Sequence, residues 1–328
     1  MKIRVLVTGQ KGFLGSCLWD LLKFNKKIKL HGCDSNIYSN KISTFNKFQN
    51  LKIQDLKNID IIIHLAGVST NYDPKGKIYK KISNKVNFKD TISFAKLAKK
   101  AGVKKFIFAS STSVYGDKKN KLVSEKSKLS PTTSYGRSKT LAEKHLTQLS
   151  NKNFKTILLR MVTLFGNSRR MRFDLLVNNL IASYIKYKKV ILLSDGQKIR
   201  PQIHIKDASE VYKYFIFNDI KQNNLILNVG RSDYNLTVGQ IARKITRVFK
   251  SKVLYGKKDK DKRSYRVSFK KFEKLKIINK TSNSIENTAK KINKSYKNKN
   301  IKFIDNKKFK NLDFMKYLIG QKKINLII

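Results

Sequence analysis

Acidic residues are scarce in this chain: 21 Asp and Glu stand against 73 Lys and Arg, a formal net charge of +52 over 328 residues. Cysteine is scarcer still. The two present, Cys17 and Cys33, share no metal-ligand or disulfide spacing, so they read as small hydrophobes of a reducing compartment. Only three prolines punctuate the sequence. No apolar run approaches ~18 residues, the length a membrane-spanning helix needs. IDIIIHLAGV is broken by His64 and reads as a buried strand. Lys2 and Arg4 precede no long apolar region with a small-residue cleavage site, so no secretory signal is expected and the default location is cytoplasmic. What is present is 40% hydrophobic and 10% aromatic content, a globular composition in a chain long enough for a substantial core.

The positive charge divides into 61 Lys and 12 Arg. A nucleic-acid binder concentrates charge on one face or arm and favours Arg for phosphate forks. Here Lys is spread almost evenly beside abundant Asn and Ile, all three with A- and T-rich codons. The pattern reads as a solvated lysine surface whose affinity for nucleic acid is nonspecific and salt-sensitive. The densest basic stretch with an aromatic is KKDKDKRSYR, Lys257–Arg266.

Short apolar β-branched runs alternate with helical patterns through the first half. Strands are expected at Ile3–Val7, Lys29–Cys33, Ile61–Leu65, Phe106–Ala109 and Thr156–Arg160, and helices at Leu14–Phe24, Val86–Ala101 and Tyr135–Leu149. Strands without polar alternation belong in a parallel sheet covered on both faces, and right-handed crossovers make it a Rossmann-like, doubly wound α/β fold. After Gly166 come a helix near Phe173–Lys186, strands at Val190–Leu193 and Leu225–Val229, and a strand and helix within Gln202–Phe217. The expected division is a dinucleotide-binding domain at 1–165, with 203–229 returning to it. A smaller mixed α/β lobe is expected from 166–202 and 230–328. NKSYKNKN, Asn293–Asn300, is the expected mobile segment.

TGQKGFLG follows the first strand and opens the first helix, the context that a dinucleotide fingerprint requires. Gly9 allows the tight turn, Gly12 a close backbone approach to a pyrophosphate, and Gly15 close packing of helix on strand. The helix N-terminus then offers N–H groups and a positive dipole to the phosphates. Nineteen residues past Gly15, Asp34 ends the second strand, where a carboxylate takes the ribose hydroxyls of NAD and repels the extra phosphate of NADP. QDL places Asp55 beside the adenine, and the small residues of HLAG let backbone pass close to the cofactor. His64 reads as a packed strand-end residue rather than a catalyst.

FASSTSVYG (Phe108–Gly116) and SYGRSK (Ser134–Lys139) carry the chemistry. Tyr135 and Lys139 are four apart on one helix face. A phenol of pKa near ~10 is a poor base at neutral pH. An adjacent ammonium and a positive nicotinamide ring favour its phenolate. Ser111 hydrogen-bonds the same substrate oxygen, so Ser111, Tyr135 and Lys139 form a proton-handling set for alcohol oxidation or ketone reduction while NAD carries the hydride.

With these motifs the chain resembles the extended short-chain dehydrogenase/reductases, the NAD-dependent nucleotide-sugar epimerase/dehydratase group. Further matches are VN (Val86–Asn87), LLRMVTLFG (Leu158–Gly166), NNL (Asn178–Leu180), RPQIHIKD (Arg200–Asp207), LNVG (Leu227–Gly230) and RSYRVSF (Arg263–Phe269), in family order over nearly the whole chain. The resemblance implies that Gly9, Gly12, Phe13, Leu14 and Gly15 hold the pyrophosphate, Asp34 the ribose, and Asp55 and Leu56 the adenine. It implies that Leu65, Ala66, Gly67 and Asn87 lie along the cofactor, and that Lys139 also bonds the nicotinamide ribose. Asn179 and Leu180 would meet a nucleotide-diphosphate sugar whose diphosphate is held by Arg200 and Arg263, since two guanidiniums suit a diphosphate. A homodimer built on the helices near Val86–Ala101 and Tyr135–Leu149 is implied likewise, and no metal is expected.

Two departures bear on the reaction. Dehydratases of the group carry a carboxylate between the catalytic Ser/Thr and the YG; here those positions are Thr112 and Ser113. Epimerases often carry Asn at the place of Thr163 and an aromatic at Gln202, and this chain has neither. The stretch from Asp34 to Ile53 is also short and shows no recognisable helix. The expected function is NAD-dependent epimerisation of a nucleotide-sugar at C4 through a 4-keto intermediate. The alternatives are a 4-ketoreductase, dehydrogenase or dehydratase of the same group, or an NAD fold reused to bind nucleic acid. Against the last, a retired site has no need of Ser111, Tyr135 and Lys139 together.

Overall fold

The structure, a computed structural model, describes residues 1–35, 37, 44–69, 77–256, 263–278 and 283–321. Six strands form one parallel sheet: β1 (Ile3–Thr8), β2 (Ile28–Cys33), β3 (Ile61–His64), β4 (Lys105–Ser111), β5 (Lys155–Met161) and β6 (Asn224–Val229). Their order is β6-β5-β4-β3-β1-β2. Because successive side chains of a strand point to opposite faces, an unbroken apolar run feeds two cores at once. Val5, Val7, Ile61, Ile63, Ile157 and Leu159 join one cluster, whereas Leu6, Ile62, Phe106, Phe108 and Leu158 join the other.

Helices close both faces. Phe13–Leu22 and Ile205–Phe217 send Leu18, Leu22, Val211 and Phe215 into the first cluster. Thr91–Lys100 and Ser134–Leu149 send Phe94, Ala98, Ala142 and Leu146 into the second. The last helix, Asn311–Gly320, packs on that second face as well, through Phe314, Met315 and Leu318. A third cluster lies where helices Leu176–Tyr187, Val238–Phe249 and Ile285–Tyr296 surround the parallel pair Val190–Leu192 and Val253–Tyr255.

The winding of the sheet reverses at β1, which has β2 on one side and β3 on the other, and ligands of such sheets bind outside the strand carboxyl ends at that point. Register brings the three ends level: Thr8 pairs with Cys33 and with His64. The glycine turn leaves β1 at this crevice.

Two local expectations are corrected. Before Thr91–Lys100 the chain runs as a π-helix, Lys85–Asp90, rather than as one continuous α-helix from Val86. Such a bulge often marks a functional site, and this one carries Asn87. Asn293–Tyr296, within the stretch expected to be mobile, closes a helix capped by Ser284, whose Ile285, Ala289 and Ile292 are buried. Tyr296 then packs edge-on against Phe173 at 5.2 Å. Residues 257–262 of the basic stretch lie outside the described residues; Arg263 lies within them.

Candidate active site

The turn after β1 is tight by construction. Gly9 has φ +71°, and its N–H donates to Cys33 O at 2.7 Å. A Cβ on Gly9 would meet Ala66 N at 2.8 Å, so the loops after β1 and β3 touch through a bare backbone. Gly12 caps the helix without a side chain, leaving the first N–H groups to whatever lies in front. Gly9, Gly12, Phe13, Leu14 and Gly15 all line a cavity of about 480 Å³. A cradle that any Cβ would fill, closed by a helix N-terminus, fits the pyrophosphate of NAD.

Gly15→Ala should therefore be costly. Its Cβ would stand 2.0 Å from Gly9 O and 2.7 Å from Gln10 Cα, both backbone atoms that cannot swing aside. Stability is expected to fall by about 1–3 kcal/mol. NAD affinity should drop about tenfold to a hundredfold as charge-assisted N–H bonds lengthen. Thermal melting and calorimetric titration measure the two, with Gly320→Ala, which meets nothing within 4 Å, as the neutral stability control.

Asp34 lines a second cavity of about 120 Å³ together with Gly9, Gly12 and Ala66. Its carboxylate accepts the Lys11 N–H at 2.9 Å. Leu65 and Gly67 border both cavities. Asn87 is fully buried and pins the loop after β3, accepting the Val68 N–H at 2.7 Å and donating to Val68 O at 2.9 Å. Asp55 and Leu56 line neither cavity. Asp55 accepts the Lys52 N–H at 2.7 Å and so caps its own short helix, while Leu56 is a core residue. His64 is held by Thr8 Oγ1 at 2.8 Å and Thr91 Oγ1 at 3.1 Å amid Phe48, Phe94, Phe106 and Phe108. Burial pushes its pKa down to about 3, so it is a packed neutral imidazole.

Ser111, Tyr135 and Lys139 meet in the larger cavity. Ser111 ends β4, and helix Ser134–Leu149, capped by Thr133, sets Tyr135 and Lys139 one turn apart. Lys139 Nζ donates to Ala109 O at 2.7 Å and lies 5.7 Å from the centre of the Tyr135 ring. Burial pushes its ammonium down to about 7, opposed by Glu143 four residues along the helix. Burial also raises the Tyr135 phenol, while the charge of Arg172 and a hydrogen bond with Ser111 pull it down. The positive charge acting on the phenol thus belongs to Arg172, which the sequence reading missed. Arg172 is held by Asp174 through two bonds, at 2.9 and 2.6 Å. Ser113 Oγ, which has no partner among the described residues, borders the same cavity.

Arg200 and Arg263 come together on the same cavity, Arg200 Nη1 donating to Arg263 O, and Asn179 and Leu180 also line it. Arg170, Arg172, Arg200 and Arg263 make four of the chain's 12 arginines lining this one space. In a chain with 61 lysines, the choice of Arg was the signal that would have located Arg170 and Arg172. Among the described residues, no group of three or more His, Cys, Asp or Glu is placed to hold a metal, and no helix is long and apolar enough to cross a membrane.

Residues 5–230 match the model of the NAD dependent epimerase/dehydratase family. The chain belongs to that family. As a member it takes NAD, the group the glycine cradle fits. An uncharacterized UDP-glucose epimerase of Bacillus subtilis is 30% identical over 227 residues, 63% of this chain and 70% of that protein. Family structures share the fold. An NAD-dependent NDP-hexosamine 5,6-dehydratase aligns with TM-score 0.79 at 20% identity over 92% of this chain and 99% of its own. A UDP-glucuronic acid 4-epimerase from Bacillus cereus, solved with UDP-glucuronic acid and NAD, aligns with TM-score 0.76 at 22% identity over 90% and 100%.

Proposed function

We propose that this chain is a nucleotide-sugar epimerase acting at C4, with the diphosphate held by Arg200 and Arg263. The observation that carries the reading is one continuous cavity. It is lined by the glycine turn, by Ser111, Tyr135 and Lys139 beside it, and by Arg200 and Arg263. The likeness to a protein named as a UDP-glucose epimerase supports an epimerase. Dehydration needs a carboxylate after Ser111, and Thr112 and Ser113 supply none; Thr112 Oγ1 turns instead toward Met161 O at 3.4 Å and Tyr265 Oη at 3.3 Å.

In this reading Tyr135 takes the proton of the C4 hydroxyl while Ser111 holds that oxygen. Gly9, Gly12, Gly15, Asp34 and Lys139 would hold NAD, which when bound would supply the carrier for the C4 hydride and a positive charge favouring phenolate. Tyr135 then gives the proton back to the inverted oxygen. Met161, Val162 and Leu164 give the cavity apolar lining, beside which the 4-keto sugar turns before the proton returns. A homodimer through helices Thr91–Lys100 and Ser134–Leu149, and a cytoplasmic location, complete the proposal.

Incubation with UDP-, GDP-, CDP- and dTDP-sugars, with and without NAD, followed by product separation, tests the reaction. A 4-epimer without net change in NADH absorbance is expected. Stoichiometric NADH change would instead assign a ketoreductase or dehydrogenase, and loss of water a dehydratase.

Arg172→Gln tests the electrostatics. Removing a cation disfavours phenolate, so the Tyr135 pKa rises. Turnover at neutral pH should fall, and the acid limb of the kcat–pH profile should move to higher pH. A profile that keeps its shape would assign Arg172 to binding alone.

A further inference from the structure

The adenosine side of the dinucleotide site has a wall that no family motif accounts for. Asp55 and Leu56 do not provide it. The last helix does: Asn311 and Met315 line the smaller cavity with Asp34, Gly9 and Ala66. The helix is anchored to the sheet, not draped on it. Phe314, Met315 and Leu318 are 3, 3 and 4% exposed and share an apolar cluster with Leu6, Phe48 and Val68. Its first residue is tied to two separate loops. Asn311 N–H donates to Asp174 Oδ2 at 3.1 Å, its Oδ1 accepts from Arg170 Nη2 at 2.8 Å, and its Nδ2 donates to Ser69 O at 3.3 Å. Ser69 belongs to the loop after β3, and Arg170 and Asp174 to the wall of the larger cavity. Asn311 therefore borders both cavities.

We propose that the last helix is part of the dinucleotide site, with Met315 as the apolar wall of its adenosine end and Asn311 as the clasp that seats the helix. The assignment rests on the NAD reading of the glycine turn. Met suits the task, since its unbranched, polarisable thioether packs well against an aromatic ring. By linkage, whatever the seated helix adds to dinucleotide affinity, the bound dinucleotide adds to seating of the helix.

Two measurements on the full chain test this. In calorimetric titrations, Met315→Ala and Asn311→Ala should each weaken NAD about fivefold to tenfold, the scale of one lost apolar wall or clasp. UDP affinity should stay unchanged in Met315→Ala, whose side chain borders the smaller cavity alone, and Met315→Leu should restore NAD binding. In trypsin digestion followed by mass spectrometry, cleavage at the exposed Lys307 and Lys308 just before the helix should slow with NAD and with ADP, but not with UDP. NAD binding indifferent to both alanine variants, or cleavage slowed equally by UDP, would overturn the assignment while leaving the cofactor reading intact. Failure of the parent chain to bind NAD would overturn both.

Discussion

Tyr135→Phe is expected to lower turnover by about a hundredfold to ten-thousandfold, the range of a lost general acid–base group, while the protein stays folded and still binds NAD. The hydroxyl does little for the fold of the free protein. Its hydrogen bond is to Ser111, at the end of β4, and the ring itself is packed against helix and cavity walls that phenylalanine fills equally well. Removing one oxygen thus deletes the proton acceptor and leaves the surroundings. Burial holds the phenol above its ordinary value, so the residue needs its cations: Arg172 nearby, and the cofactor's charge once bound. Product formation by Tyr135→Phe at the parent rate, read by separating epimers after a timed incubation, would remove Tyr135 from the chemistry.

The sheet, the glycine turn and the grouping of Ser111, Tyr135 and Lys139 were legible because each couples a residue type to a local context. Gly9, Gly12 and Gly15 are diagnostic only between a strand and a helix, and both neighbours can be read from apolar spacing. Tyr135 and Lys139 share a face because helical periodicity says so. Arg172 and the last helix were not legible, for a physical reason. Their roles depend on contacts between distant parts of the chain, such as Asn311 with Ser69, 242 residues apart. No local period encodes such a pairing, and Phe-Met-Lys-Tyr-Leu in a lysine-rich tail looks like any amphipathic turn. Asp55 shows another limit of local pattern: its position after a short apolar run matches the adenine motif, and its carboxylate also accepts the Lys52 N–H three residues back, a contact that only geometry reveals. The π-helix at Lys85–Asp90 escaped because the apolar pattern of Val86–Ala101 tolerates one extra residue per turn.

Glu143→Ala is expected to cost about 3–5 kcal/mol of stability, measured by urea denaturation, because it strands a buried charge. Arg160 and Glu143 are 2 and 3% exposed and joined by three contacts of 2.7, 3.0 and 3.2 Å. Ser110 Oγ donates to Glu143 Oε1 at 2.5 Å, and Arg160 Nη1 donates to Tyr115 Oη at 2.9 Å, which in turn donates to Asn228 Oδ1 at 2.7 Å. The network thus ties β4, β5 and β6 to the helix that carries Tyr135 and Lys139. A loss of this size is a large part of the roughly 5–15 kcal/mol that folded domains have in total. Replacing both partners, Glu143→Leu with Arg160→Met, should recover most of it, since no charge is then left alone. The double variant separates the structural role from a catalytic one. Glu143 is the charge that opposes the burial of Lys139, whose ammonium already stands near 7. Without Glu143 that pKa falls further, the ammonium is lost at neutral pH, and the hold on NAD proposed for Lys139 weakens. A double variant with parent stability should therefore still show weaker NAD binding that recovers as the pH is lowered. If its affinity for NAD equals that of the parent at every pH, the Glu143–Arg160 pair serves the fold alone.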